Sequence, residues 1–191
     1  MAKYQINYEA NDYDENKEKG IPYKDFLEWS ETIVFAFFIV MLVFTFIFRT
    51  ASIKGEGMQP AFKNGDKLIV NSINYTPQAG DVVVVDNAAM GAPTVKRIAA
   101  MGGDTVVIDN STGKITVNGA ELQYEFVPEE YVEFSENVTV TVPQGSLFVL
   151  SDNRADRNDS RNEAVGCIPE DNVAGEVVFR FWPLNGIGAV K

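Results

Sequence analysis

Hydrophobic and polar positions divide the chain into stretches of different rhythm. Met1 to Glu31 is polar and acid-rich, with Asp12, Asp14, Glu15 and Glu18 close to Lys17 and Lys19. Such a segment buries too little apolar surface to offset its chain entropy, which predicts a solvated, poorly ordered tail. Tyr23, Phe26 and Trp29 near its end suit a membrane–water interface. The next stretch, Thr32 to Phe48 (TIVFAFFIVMLVFTFIF), is 17 residues without a charge. As a helix rising ~1.5 Å per residue it spans about 26 Å, slightly short of a ~30 Å hydrocarbon core. Trp29 on one side and a snorkelling Arg49 on the other can cover the deficit.

Two readings of that run stand side by side. One is a transmembrane anchor over 32–48. The other is a cleavable signal peptide with Thr50-Ala51-Ser52 as its cleavage region. The run exceeds the usual apolar core of a signal peptide, and the segment before it is acidic, so the anchor is favoured. Lys17, Lys19 and Lys24 precede the run, while Arg49, Lys54, Lys63 and Lys67 follow it. The positive-inside rule therefore does not place the N-terminus in the cytoplasm.

From Thr50 the pattern changes to short β-branched runs broken by turn residues. Leu68-Ile69-Val70, Val82 to Val85, Val95 to Ala99, Thr105 to Ile108, Ile115 to Val117, Val138 to Val142, Leu147 to Leu150 and Val173 to Trp182 predict strands. Asn110-Ser111-Thr112-Gly113 and Asn118-Gly119 are turn signals between them. Glu121 to Asn137, acidic and aromatic-rich with Pro128, predicts a long excursion. No helical period follows Phe48. The expected architecture is one all-β domain over 50–191, a sandwich or partly open barrel, behind the tail over 1–31 and one N-terminal transmembrane helix.

Composition narrows the chemistry. The net charge is −11 with no basic cluster, which argues against a nucleic-acid partner. Histidine is absent, so Ser-His-Asp and Cys-His catalysis and imidazole-bound zinc are excluded. The one cysteine, Cys167, has no partner for a disulfide or a metal and is expected to be a small buried residue. Nothing calls for a cofactor. Serine or threonine paired with lysine, or paired carboxylates, are the main options left. A serine can be activated by a neutral lysine amine where burial pulls the lysine well below its free pKa of ~10.4. Lys96 lies on a predicted strand beside Arg97, and alternation sends the two to opposite faces.

Four stretches carry a family resemblance: Ile53-Lys54-Gly55-Glu56-Gly57-Met58-Gln59-Pro60; Asn64-Gly65-Asp66 with Gly80-Asp81-Val82-Val83-Val84; Val95-Lys96-Arg97-Ile98 with Gly102-Gly103-Asp104; and Ser151-Asp152-Asn153-Arg154 with Asp159-Ser160-Arg161. In order and spacing they resemble the boxes of bacterial type I signal peptidases, and the single anchor resembles the Gram-positive type. The resemblance implies a membrane-anchored Ser/Lys endopeptidase that removes signal peptides from exported preproteins, with its β domain on the extracytoplasmic side. It implies Lys96 as general base and the backbone N–H at residue 57 as part of an oxyanion hole. Asp152, Asn153, Arg154, Asp159 and Arg161 would brace the loop beside the site, and Met58, Pro60 and Phe62 would shape the groove or dip toward the membrane.

The departures from that pattern are specific. Gly57 stands where the family keeps its nucleophilic serine, Ala61 replaces a threonine, Ser151 replaces a glycine, and Arg157 falls where the family often has a serine bonded to the lysine. A cutting enzyme would need another nucleophile, with Ser52, Ser151 and Ser160 nearby by motif position, or a water activated by Lys96. Alternatively the chain is an inactive homologue whose groove binds a signal peptide or an assembling surface protein, as in pilus-type systems. A β domain with a purely structural role at the lipid membrane is the third possibility.

Overall fold

The β-branched runs of the second half fold as strands in a computed structural model that describes residues 23–109, 114–122 and 137–190. The acidic tail before Tyr23, the Asn110–Gly113 turn and most of the Glu121–Asn137 excursion lie outside the described residues. The chain divides into two compact units, Met1–Leu42 and Val43–Lys191.

Helix α1 runs Tyr23–Ile47, so it begins upstream of the uncharged run and takes in the stretch from Tyr23 to Glu31 that composition assigns to the tail. Its described apolar side chains, such as Ile33, Phe35, Phe38 and Met41, are exposed. Among the described residues no helix is long and apolar enough to cross a membrane. The side chains of residues 43, 44 and 46–48, inside the same uncharged run, lie outside the described set.

At Phe48 the backbone switches directly to β1 (Phe48–Ser52), without a loop. The strands that follow are β2 (Lys67–Asn71), β3 (Val82–Val85), β4 (Thr94–Ala100), β5 (Thr105–Ile108), β6 (Ile115–Val117) and β7 (Ala120–Glu121). Then come β8 (Val138–Thr141), β9 (Ser146–Leu150), β10 (Ile168–Pro169), β11 (Val173–Trp182) and β12 (Gly188–Ala189). The larger sheet has the order β1-β2-β11-β3-β4-β9-β10, with β12 added to β11, and it curls as a half-barrel. The smaller sheet has the order β7-β6-β5-β8. All strand pairs are antiparallel.

Period-2 alternation explains why the valine-rich strands carry almost no polar positions: they are buried on both faces. In β3, Val82 and Val84 enter one apolar cluster with Ile53, Met58, Phe62 and Leu68, while Val83 and Val85 enter another with Ile98, Leu147 and Val149. In β9 the alternate residues Phe148 and Leu150 pack with Val106, Ile108 and Ile115 of the smaller sheet. The Asn118-Gly119 signal is a tight hairpin turn between β6 and β7, both residues having positive φ (52° and 81°).

Candidate functional site

The loop from Ile53 to Asp66 joins β1 to β2 and is pinned at both ends. Ile53 N–H donates to the Asp66 carbonyl (2.9 Å) and Gly65 N–H to the Ile53 carbonyl (3.0 Å). Ile53, Met58 and Phe62 are driven into the core cluster below, which leaves Gly55, Glu56 and Gly57 on the upper side of the loop. Phe62 is therefore a core residue and does not line the groove; Met58 does line it, from beneath, and Pro60 is exposed and outside it. Neither Met58 nor Phe62 reaches out toward a membrane, because both are needed to anchor the loop.

A second loop, Ser151–Arg161, follows β9 and meets the first. Asn153 N–H donates to the Gly57 carbonyl (2.9 Å), and its side-chain amide reaches the Glu56 carbonyl (3.3 Å). Charge pairs hold this second loop rigid. Arg97 grips Asp152 with two bonds of 2.9 Å and also donates to the Gly80 carbonyl. Arg161 forks onto Asp159 and donates to the carbonyls of Arg154 and Asp156, while Asp159 accepts from Ser151 N–H (2.8 Å). Arg154 donates to the Ser151 carbonyl (3.2 Å). Planar guanidinium–carboxylate forks fix direction as well as distance, so these buried pairs brace the loop.

Strand β4 delivers Lys96 between the two loops. Alternation sends Lys96 and Arg97 to different partners, as the pattern predicts, but neither is solvated: both are buried. Lys96 does not end in an apolar pocket. Its Nζ lies 2.7 Å from Ser151 Oγ and 3.0 Å from Asp156 Oδ2, and Ser151 Oγ donates in turn to the same carboxylate oxygen (3.1 Å). Burial pushes Asp156 up. Against that, the Lys96 charge and the bonds from Asn158 N–H, Lys96 and Ser151 prevail and hold the carboxyl below its usual value of 3.8.

Gly57 faces this cluster. A Cβ built on Gly57 falls 2.0 Å from Asp156 Oδ2 and 3.4 Å from Lys96 Nζ. Asp156 thus occupies the space that any side chain at residue 57 would enter. Gly57 is not among the glycines with positive φ, so the backbone itself would accept another residue there. Around these groups lies an open cavity of about 450 Å³, whose walls include Gly55, Gly57, Thr94, Lys96, Asn153 and Asp156.

The family model described as signal peptidase, peptidase S26, matches residues 26–182. The chain belongs to the signal peptidase family. Curated relatives agree: signal peptidase I T of Bacillus subtilis is 31% identical over 87% of this chain and 90% of that protein. Signal peptidase IB of Staphylococcus aureus is 36% identical over 85% of this chain and 92% of that protein. A signal peptidase I structure from Enterococcus faecalis V583 aligns over 54% of the chain with 24% identity and a TM-score of 0.43.

Of the site residues expected for a signal peptidase, the fold brings together Gly57, Met58, Lys96 and Asn153, with Asp152, Arg154, Asp159 and Arg161 behind them; Ser151, a departure from the family pattern, joins them through Lys96. Arg157 is exposed and outside the cavity lining, so its charge is not what meets Lys96. Cys167 is half-buried instead of fully buried, and burial pushes its thiol up. The candidate replacement nucleophiles separate clearly. Ser151 is fully buried and engaged twice, Ser160 is buried with its Oγ accepting from Val149 N–H, and Ser52 is exposed on the cavity wall. Asp156 is the cavity residue that motif reading missed. Its only signal was a carboxylate placed two residues after Arg154, inside a loop whose other acids all bind arginine.

Proposed function

We propose that this chain uses a signal-peptidase groove to bind the signal-peptide region of exported preproteins and does not cut it at a useful rate. The observation that carries this reading is the Lys96–Asp156 ion pair, set in the space that a side chain at residue 57 would fill. Hydrolysis in a Ser/Lys site needs a hydroxyl at residue 57 and an amine free to take its proton. Here Gly57 supplies no hydroxyl, and the lysine is engaged by a carboxylate and by Ser151. Ser52 lines the cavity, but the lysine of that cavity is the same engaged Lys96. A water activated by Lys96 would have to displace Asp156 first.

The groove itself favours binding. An extended peptide laid beside Gly55–Gly57 and the start of β4 would find backbone on both walls, and main-chain pairing gives affinity without chemistry. Helix α1 fits a membrane anchor in this reading: its exposed apolar side chains lie along an uncharged run that water would not favour. The β domain then faces the extracytoplasmic side, where the family's substrates emerge. A surface-assembly protein, as in pilus-type systems, is the alternative occupant of the same groove.

The test uses the full chain in detergent and a fluorescent peptide carrying a signal sequence with small residues at its cleavage site. Saturable binding with the peptide recovered intact by mass spectrometry is expected. Cleavage that disappears in Lys96→Ala would overturn the proposal.

A further inference from the structure

The loss of the residue-57 side chain and the presence of a carboxylate at residue 156 are one arrangement in space. Asp156 Oδ2 would lie 2.0 Å from a Cβ at residue 57, far inside the distance at which a Cβ meets a non-bonded heavy atom. Since the Gly57 backbone does not require glycine, the refusal comes from Asp156 alone. The carboxylate is also the far end of a side chain that is about one-third exposed, so it can swing out toward solvent. Leaving would cost it the bonds to Lys96 and Ser151 and would strip a 3% exposed lysine of its counter-charge.

We propose that Asp156 is an internal blocker: it fills the attack position, holds Lys96 as its ion-pair partner, and makes Gly57→Ser alone insufficient to create a cutting enzyme. Two states follow from the geometry. With Asp156 inward, any side chain at residue 57 is crowded and Lys96 is occupied by the carboxylate. With Asp156 outward or removed, residue 57 can carry a hydroxyl, and a buried lysine without its counter-charge is free to serve it. The blocker, not the glycine by itself, keeps the pocket idle. This inference rests on the reading of the pocket as a signal-peptidase site.

The experiment compares the parent chain with Gly57→Ser, Asp156→Ala and the double variant, all as full chains in detergent. Each is assayed for cleavage of the signal-sequence peptide and for thermal unfolding. The double variant is expected to cleave at least ~100-fold faster than Gly57→Ser, an energy difference of about 2.7 kcal/mol in the barrier. Asp156→Ala is expected to lower Tm in the parent chain and to lower it less in the Gly57→Ser background, where the carboxylate still holds Lys96 but is crowded by the new side chain. Gly57→Ser alone cleaving as fast as the double variant would overturn the blocker, and so would equal Tm losses in both backgrounds. Unequal Tm losses without cleavage by the double variant would uphold the blocker and sink the reading of the pocket as a competent signal-peptidase site.

Discussion

The loop from Ser151 to Arg161 contains two charge clusters that are close in sequence and opposite in design. At the back, Arg97–Asp152 and Arg161–Asp159 are buried forks whose geometry leaves little freedom. At the front, Lys96 and Asp156 make a single-point contact at the rim of a cavity, beside a residue with no side chain. The back cluster serves position: every carboxylate there also ties down backbone or is clamped by two nitrogens. On the proposed reading the front cluster serves occupancy, with Lys96 and Asp156 filling the space that a side chain at residue 57 would enter. The frame of a signal peptidase and its reacting corner are therefore separable, because they draw on different members of the same loop.

The largest effect expected from breaking the comparison is at the back. Asp159→Ala leaves Arg161 buried without its fork and removes the acceptor of Ser151 N–H, which should cost about 3–5 kcal/mol. Denaturant unfolding checks this. A loss below ~1 kcal/mol would mean that the frame does not depend on the brace. At the front, Gly57→Ala forces the Asp156 carboxylate aside and should cost about 1–3 kcal/mol, as overpacking does. The same measurement in an Asp156→Ala background should show the penalty shrink.

A smaller effect is expected where β11 supports the first loop. Arg180 on β11 donates to the Ala61 carbonyl (3.0 Å) and the Gly186 carbonyl, meets Asp66 at 3.3 Å, and lies over the Phe62 ring. Arg180→Met keeps much of the apolar stem and loses those bonds, for about 1 kcal/mol. Hydrogen exchange should quicken at Phe62, Gly65 and Asp66, and unchanged protection there would contradict the role.

The smallest effect is a pH dependence. Asp156 is held below 3.8 in the folded chain, so its stabilising contribution is complete above the unfolded carboxyl's titration near pH 4. It is lost as the pH falls from there through the lower folded value. Replacing Asp156 with Asn should flatten stability in that acid window and leave the slope above pH 5 unchanged.

Much of the frame was legible in the sequence because period-2 valine runs and turn residues determine it locally. The runs at Val82–Val85, Thr105–Ile108 and Leu147–Leu150 all fall inside strands. The start of β1 at Phe48 was hidden, since Phe48 continues the apolar run and nothing in its own chemistry separates helix from strand. The short strands β7, β10 and β12 were hidden too, being two residues each and defined only by their partners. At the site, motif order named Gly57 and Lys96, which the fold places on one cavity, but not what lies between them. Arg157 drew attention by its charge at a motif position, and the loop turns it outward while Asp156, one residue earlier, turns in. One residue of phase in an irregular loop has no periodic signal to announce it.

The central contact of the front arrangement, Lys96 with Asp156, can be observed by titration. Carbon-13 NMR of labelled aspartate in the full chain should show the Asp156 carboxyl titrating below 3.8, and moving upward in Lys96→Met as burial is left unopposed. An Asp156 midpoint at or above 3.8 that ignores Lys96→Met would contradict the account.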